Sequence, residues 1–70
     1  MQLKKFLELI RTDETINLYN PIENRYLQKE EYKGNIDKKY FNCKVVGINT
    51  NYIYDGFFGN TILEIDIINT

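Results

Sequence analysis

The chain has no histidine, serine, alanine or tryptophan, and only one cysteine and one proline. Each absence closes off a chemistry. Without histidine, the commonest catalytic base and metal ligand is missing. Without serine or histidine no hydrolytic triad can be assembled, and Cys43 has no imidazole to activate it. A lone cysteine cannot form an internal disulfide or a zinc cluster, which fits a reducing, cytoplasmic setting. The four glycines are scattered, so neither a phosphate loop nor a dinucleotide fingerprint is present. No apolar run exceeds four residues, so no signal peptide or membrane span is expected. The net charge of −1 and a pI near 5.3 give no basis for general nucleic-acid binding or for strong DNA mimicry.

What is present is skewed toward ten Ile, nine Asn, seven Lys and six Tyr, residues with A/T-rich codons that point to a genome low in G+C. Seventy residues make one domain, 1–70. A chain this short buries about 60% of its unfolded surface, so its core is small and oligomerisation is a common remedy. A homo-oligomer is therefore expected.

Residues 1–11 read as an amphipathic helix, with Leu3, Phe6, Leu7 and Ile10 at i, i+3, i+4 and i+7. It is too short, and its basic face too small, for stable membrane binding. Thr15–Tyr19 alternates as a strand, Asn20–Asn24 is a proline-containing turn, and Arg25–Lys29 pairs back. Residues 30–42 carry a short helical turn over Ile36–Tyr40, capped by Asn35. Cys43–Ile68 reads as one long hairpin folded at Asp55-Gly56, a pair suited to a type I′ turn. In that register Tyr54 faces Phe57, Ile48 faces Leu63 and Val46 faces Ile65. Val46, Ile48, Leu63, Ile65 and Ile67 then form the apolar face, and Val45, Gly47, Glu64 and Asp66 lie on the other. The expected fold is α+β: an N-terminal helix packed on a mostly antiparallel four-stranded sheet, with a long C-terminal β-hairpin.

Glu64 and Asp66 share a face and, with Glu30, could serve a Mg²⁺-assisted enzyme, but two surface acids on an amphipathic strand are ordinarily solvated charge. No catalytic residue, metal ligand or cofactor is assigned, and the chain is read as a non-enzyme. The anomaly is the tip. Between Asn49 and Asn60 only Asp55 is charged, while Tyr52, Tyr54, Phe57 and Phe58 cluster around the turn. An exposed aromatic cluster of this kind marks an interface. These four residues are the candidate partner-binding anchors. An alternative ligand site takes Tyr19 and Tyr26 as stacking platforms, with Arg25 and Lys44 holding phosphates.

The Leu3–Ile10 helix, Thr15–Asn20, the Asn35-Ile36 turn, Lys44–Ile48 and the closing Leu63–Ile67 occur in an order and spacing that resembles short uncharacterised proteins of prophages and mobile elements in low-G+C Gram-positive bacteria. The resemblance covers most of the chain, and the extended Tyr52–Phe58 tip departs from the shorter members. It implies a small accessory protein in the cytoplasm of the bacterial host. Such a protein would bind and inhibit a host defence factor, in the manner of an anti-CRISPR, and the alternative is a sponge that sequesters a signalling nucleotide at a subunit interface.

Overall fold

The computed structural model describes residues 1–54, 56 and 59–69, with the side chains of Ile53, Tyr54 and Asn60 outside that description. One short helix and four strands follow in the order α1 (Leu3–Leu9), β1 (Thr15–Asn20), β2 (Arg25–Glu31), β3 (Lys44–Tyr54) and β4 (Gly59–Ile68). The fold is α+β, and the four strands form one mixed sheet in the order β2-β1-β4-β3. β1–β2 and β3–β4 are antiparallel, while the central β1–β4 pairing is parallel. No helix among the described residues is long and apolar enough to cross a membrane.

Alternation along β1 and β4 sets the two faces of the sheet. Ile16 and Leu18 lie beside Leu63 and Ile65 in the parallel register, and all but the half-buried Leu63 are fully buried. Leu3 and Leu7 of α1 pack onto this face, as do Ile36 and Cys43 from the segment before β3. That segment holds two short 3₁₀ turns, Lys33–Asn35 and Lys38–Tyr40. The second is capped by Asp37, whose Oδ1 accepts from the Lys39 N–H at 3.0 Å. The cap is thus Asp37 in place of the expected Asn35, since Asn35 ends the first turn. Ile36 is buried and Tyr40 and Phe41 are half-buried, as the sequence pattern implies.

The turn between β1 and β2 rests on Asn20. Its side chain is buried, and Oδ1 accepts from the N–H groups of Ile22 (2.9 Å) and Glu23 (3.0 Å). Asn24 then takes a positive φ of 53°, which asparagine tolerates. β2 forms one edge of the sheet. It is charged, its register with β1 shifts twice, and Glu30 sits at φ 53° with its N–H held by Asn17 Oδ1 at 2.8 Å.

The β3–β4 register differs from the sequence expectation. Tyr54 pairs with Gly59, Thr50 with Leu63 and Ile48 with Ile65, and Phe57, the expected partner of Tyr54, lies outside the described residues. The expected Asp55-Gly56 turn falls where only Gly56 is described, at a φ of 98° that suits glycine. A shift of two residues preserves which side chains share a face. A bulge at Val46 does not. Below it Val45 pairs with Ile67 and is packed against the core, while Val46 is exposed. The assignments of Val45 and Val46 are therefore exchanged relative to strict alternation.

Candidate functional site

Two surfaces carry the residues singled out by the sequence. The first is the core-side face of β3. Ile48 pairs with the fully buried Ile65, and paired residues in a sheet point to one side. Yet Ile48 is 48% exposed and Tyr52, on the same face, 68%. The reason lies in α1. Its seven residues are anchored at the start of β3, where Leu3 N–H donates to the Cys43 carbonyl at 2.8 Å and the Met1 carbonyl accepts from Val45 N–H at 2.8 Å. The core built from Leu3 and Leu7 does not include Ile48 or Tyr52. What remains above the bulge is a short row, Ile48, Thr50 and Tyr52, facing solvent on the side where the rest of the sheet is covered.

Tyr52 has a defined seat in this row. It pairs with Thr61, and its phenol lies across the diagonal neighbour Gly59, where a Cβ would overlap the ring. Of the other expected anchors, Tyr54 ends β3 with its side chain outside the description, and Phe57 and Phe58 lie outside the described residues. Periodicity places Val46 and Ile48 in the core, and both are about half exposed. Gly47 is the local mark of the bulge that exposes Val46, since a glycine inside a strand marks a bulge, and nothing within β3 marks the exposure of Ile48.

The second surface is the opposite face, where Tyr19 and Tyr26 meet across β1 and β2 with ring centroids 4.9 Å apart and planes tilted by 57°. Tyr19 donates its hydroxyl to Asn24 Oδ1. Tyr26 donates to Glu64 Oε2 at 2.9 Å, and the Lys29 ammonium lies 4.6 Å from its ring centroid. The hydrogen bond to Glu64 and, to a smaller degree, desolvation push the Tyr26 phenol above its usual pKa. Asn51 Nδ2 also reaches Glu64, at 3.4 Å. Of the remaining ligand candidates, Arg25 is exposed and ion-paired with Glu23 at 2.7 Å, and Lys44 is exposed at the base of β3 opposite Ile68. Tyr19 and Tyr26 therefore come together, while Arg25 is engaged by a neighbouring carboxylate. Cys43 is buried, its thiol is 3.3 Å from Asn69 Oδ1, and burial raises its pKa, which gives it the properties of an apolar filler.

Asp66 lies beside Glu64's face with one oxygen, Oδ1, buried and without a hydrogen-bond partner among the described residues. Desolvation, and then the Glu64 charge, raise its pKa from 3.8. The folded carboxyl therefore keeps its proton at a pH where the unfolded one has lost it. Stability from this group is complete below pH 3.8 and falls as pH rises toward the folded value. Asp66→Asn should accordingly gain on the order of 1 kcal/mol at pH 7, or about 4–8 °C in Tm, and gain nothing at pH 3. Thermal melts of both proteins at the two pH values check this.

Comparison of the chain with protein-family models, curated proteins and solved structures finds no match. The functional reading therefore rests on the chain's own surfaces.

Proposed function

We propose that this chain is a non-catalytic binding protein of phage or mobile-element origin. It acts in the cytoplasm of a bacterial host, where it binds and inhibits a defence factor such as a CRISPR effector. The observation that supports the reading is the exposed row built on Ile48 and Tyr52. Aromatic and β-branched groups held on a rigid strand lose little entropy on docking, and they are the types that anchor protein interfaces. In this reading β3 and β4 form one long hairpin, the amphipathic helix secures its base, and Tyr54, Phe57 and Phe58 serve as further anchors.

The test is a plating assay in cells whose CRISPR nuclease restricts a phage. Expression of the wild-type chain should restore plaques. Loss of an interface anchor costs about 2 kcal/mol or more, roughly 30-fold in affinity, so Ile48→Ala combined with Tyr52→Ala should return plating to the restricted level. The double variant should keep its far-UV circular dichroism. Full protection by a folded double variant would remove the row from the inhibitory role.

A second reading, a sponge for a signalling nucleotide, draws support from the Tyr19–Tyr26 pair on the other face. It ranks lower because the groups around that pair include the carboxylates Glu64 and Asp66, which repel phosphate, and because Arg25 is paired with Glu23.

A further inference from the structure

The two edges of this sheet are treated differently. On β2 the edge is broken by register shifts, by the positive φ of Glu30 and by the charges of Arg25, Lys29, Glu30 and Glu31. Such features keep edges from pairing with other chains. β3 has none of them beyond its base. Its charge is confined to Lys44 and its irregularity to Val46. The outer edge is closed only at that base, by the Gln2–Lys44 bridge and the Met1 carbonyl on Val45 N–H. From Val46 to Tyr54 no described residue pairs with it.

We infer that this edge is the seam of a dimer, in which β3 pairs antiparallel with β3 of a second copy about a two-fold axis at Thr50. Three observations select that occupant and that register. Thr50 is the midpoint of the open stretch Val46–Tyr54, so a two-fold there pairs the whole stretch and leaves none exposed. The side chains match themselves: Ile48 falls opposite the partner's Tyr52, Thr50 opposite the partner's Thr50, and Asn49 opposite the partner's Asn51. β-branched–aromatic and Thr–Thr pairs are favourable cross-strand combinations. The paired stretch carries no charge, so the symmetry brings no like charges together. The axis stands perpendicular to the sheet, so the apolar rows of both copies adjoin on one face of an eight-stranded sheet. This inference concerns the backbone edge, and it is tested without any host factor, so its failure is separate from failure of the inhibitory reading.

Light scattering of the wild-type chain at about 100 μM should give twice the 8.4 kDa chain mass. Thr50→Lys sets two cations face to face at the axis and should return the mass to that of one chain. The register is read by cysteine crosslinking with a short bifunctional thiol-reactive reagent, such as a bis-methanethiosulfonate. Thr50→Cys should link to its own copy, because directly paired residues lie about 5 Å apart. Val46→Cys should not, because the two copies of that position lie eight residues apart along the seam, about 26 Å. Cys43 is buried, and the wild-type chain is the control. A monomeric wild type overturns the inference. So does a dimer that persists in folded Thr50→Lys, or one in which Val46→Cys links and Thr50→Cys does not.

Discussion

Ile65→Ala should leave a large fraction of the chain unfolded at room temperature. Ile65 lies on the central strand β4, between Leu18 on β1 and Ile48 on β3, with no solvent exposure. Truncation of a buried isoleucine removes its transfer energy and leaves a cavity, about 2–5 kcal/mol together. A domain of this length has roughly 5 kcal/mol in total, so the loss is comparable with the whole. The cavity has little chance to close, because the neighbours Leu18 and Ile67 are themselves fully buried on strands held by their ladders. Urea titration followed by circular dichroism gives the midpoint, and tyrosine emission is the second probe in a chain without tryptophan. Ile65→Val should cost only about 0.5–1.5 kcal/mol, which separates cavity formation from any special role of the position.

The same substitution at Ile48, one strand away and on the same face, should cost much less. Half of its surface already faces water, so the apolar area lost from the interior is small. This contrast is the physical basis for assigning Ile48 to binding and Ile65 to folding. It also explains why so small a chain can tolerate an exposed apolar row. The buried set Leu3, Leu7, Ile16, Leu18, Ile65 and Ile67 lies over β1 and β4, and the outer part of β3 is held chiefly by its backbone pairing to β4. A second copy along the β3 edge would reinforce the part of the sheet that the core supports least.

Much of this architecture is legible from periodicity. The i, i+3, i+4 spacing of Leu3, Phe6 and Leu7 places them on the side of α1 that meets the sheet, and alternation puts Ile16 and Leu18 inward. Asn20, Pro21 and Asn24 mark the first turn by their chemistry. The β4 face survives an incorrect register because the error is two residues, which moves partners without inverting faces. Three features were not legible. Whether β1 lies parallel against β4 depends on how non-adjacent strands meet, and alternation is the same in either direction. The Val46 bulge inverts one position, and its only local mark is Gly47. Exposure of Ile48 depends on where α1 stops, which is set by its anchorage to Cys43 and Val45 and not by any pattern within β3. For the same reason periodicity points only to the tip, Tyr52, Tyr54, Phe57 and Phe58, although the exposed row already includes Ile48. The Tyr19–Tyr26 contact was half visible: each residue was singled out, but Glu64 as the acceptor for Tyr26 lies 38 residues away and no local signal joins them.

Asn20→Ala should destabilise the fold by about 1–3 kcal/mol, the largest effect expected outside the apolar core. Asn20 closes β1 and pairs with Arg25 at the start of β2, so its side chain governs how the chain reverses. One buried oxygen holds two N–H groups, those of Ile22 and Glu23, and alanine can hold neither. Water can recover part of that loss, because Ile22 and Glu23 are exposed, which sets the effect below that of a core cavity. Asn20→Asp keeps the acceptor at the same distance and should retain more stability than the alanine variant. Asn20→Leu keeps volume without the acceptor and should not. The consequence extends to the second surface. Tyr26 meets Tyr19 and Glu64 because this turn returns β2 beside β1 in register. If the turn loosens, the phenol of Tyr26 should lose its carboxylate partner and titrate closer to an ordinary tyrosine. Urea midpoints rank the three variants. NMR titration of the Tyr26 ring in Asn20→Ala then reports whether the turn acts on that surface, and a ring that still titrates above the usual range would confine the role of Asn20 to stability.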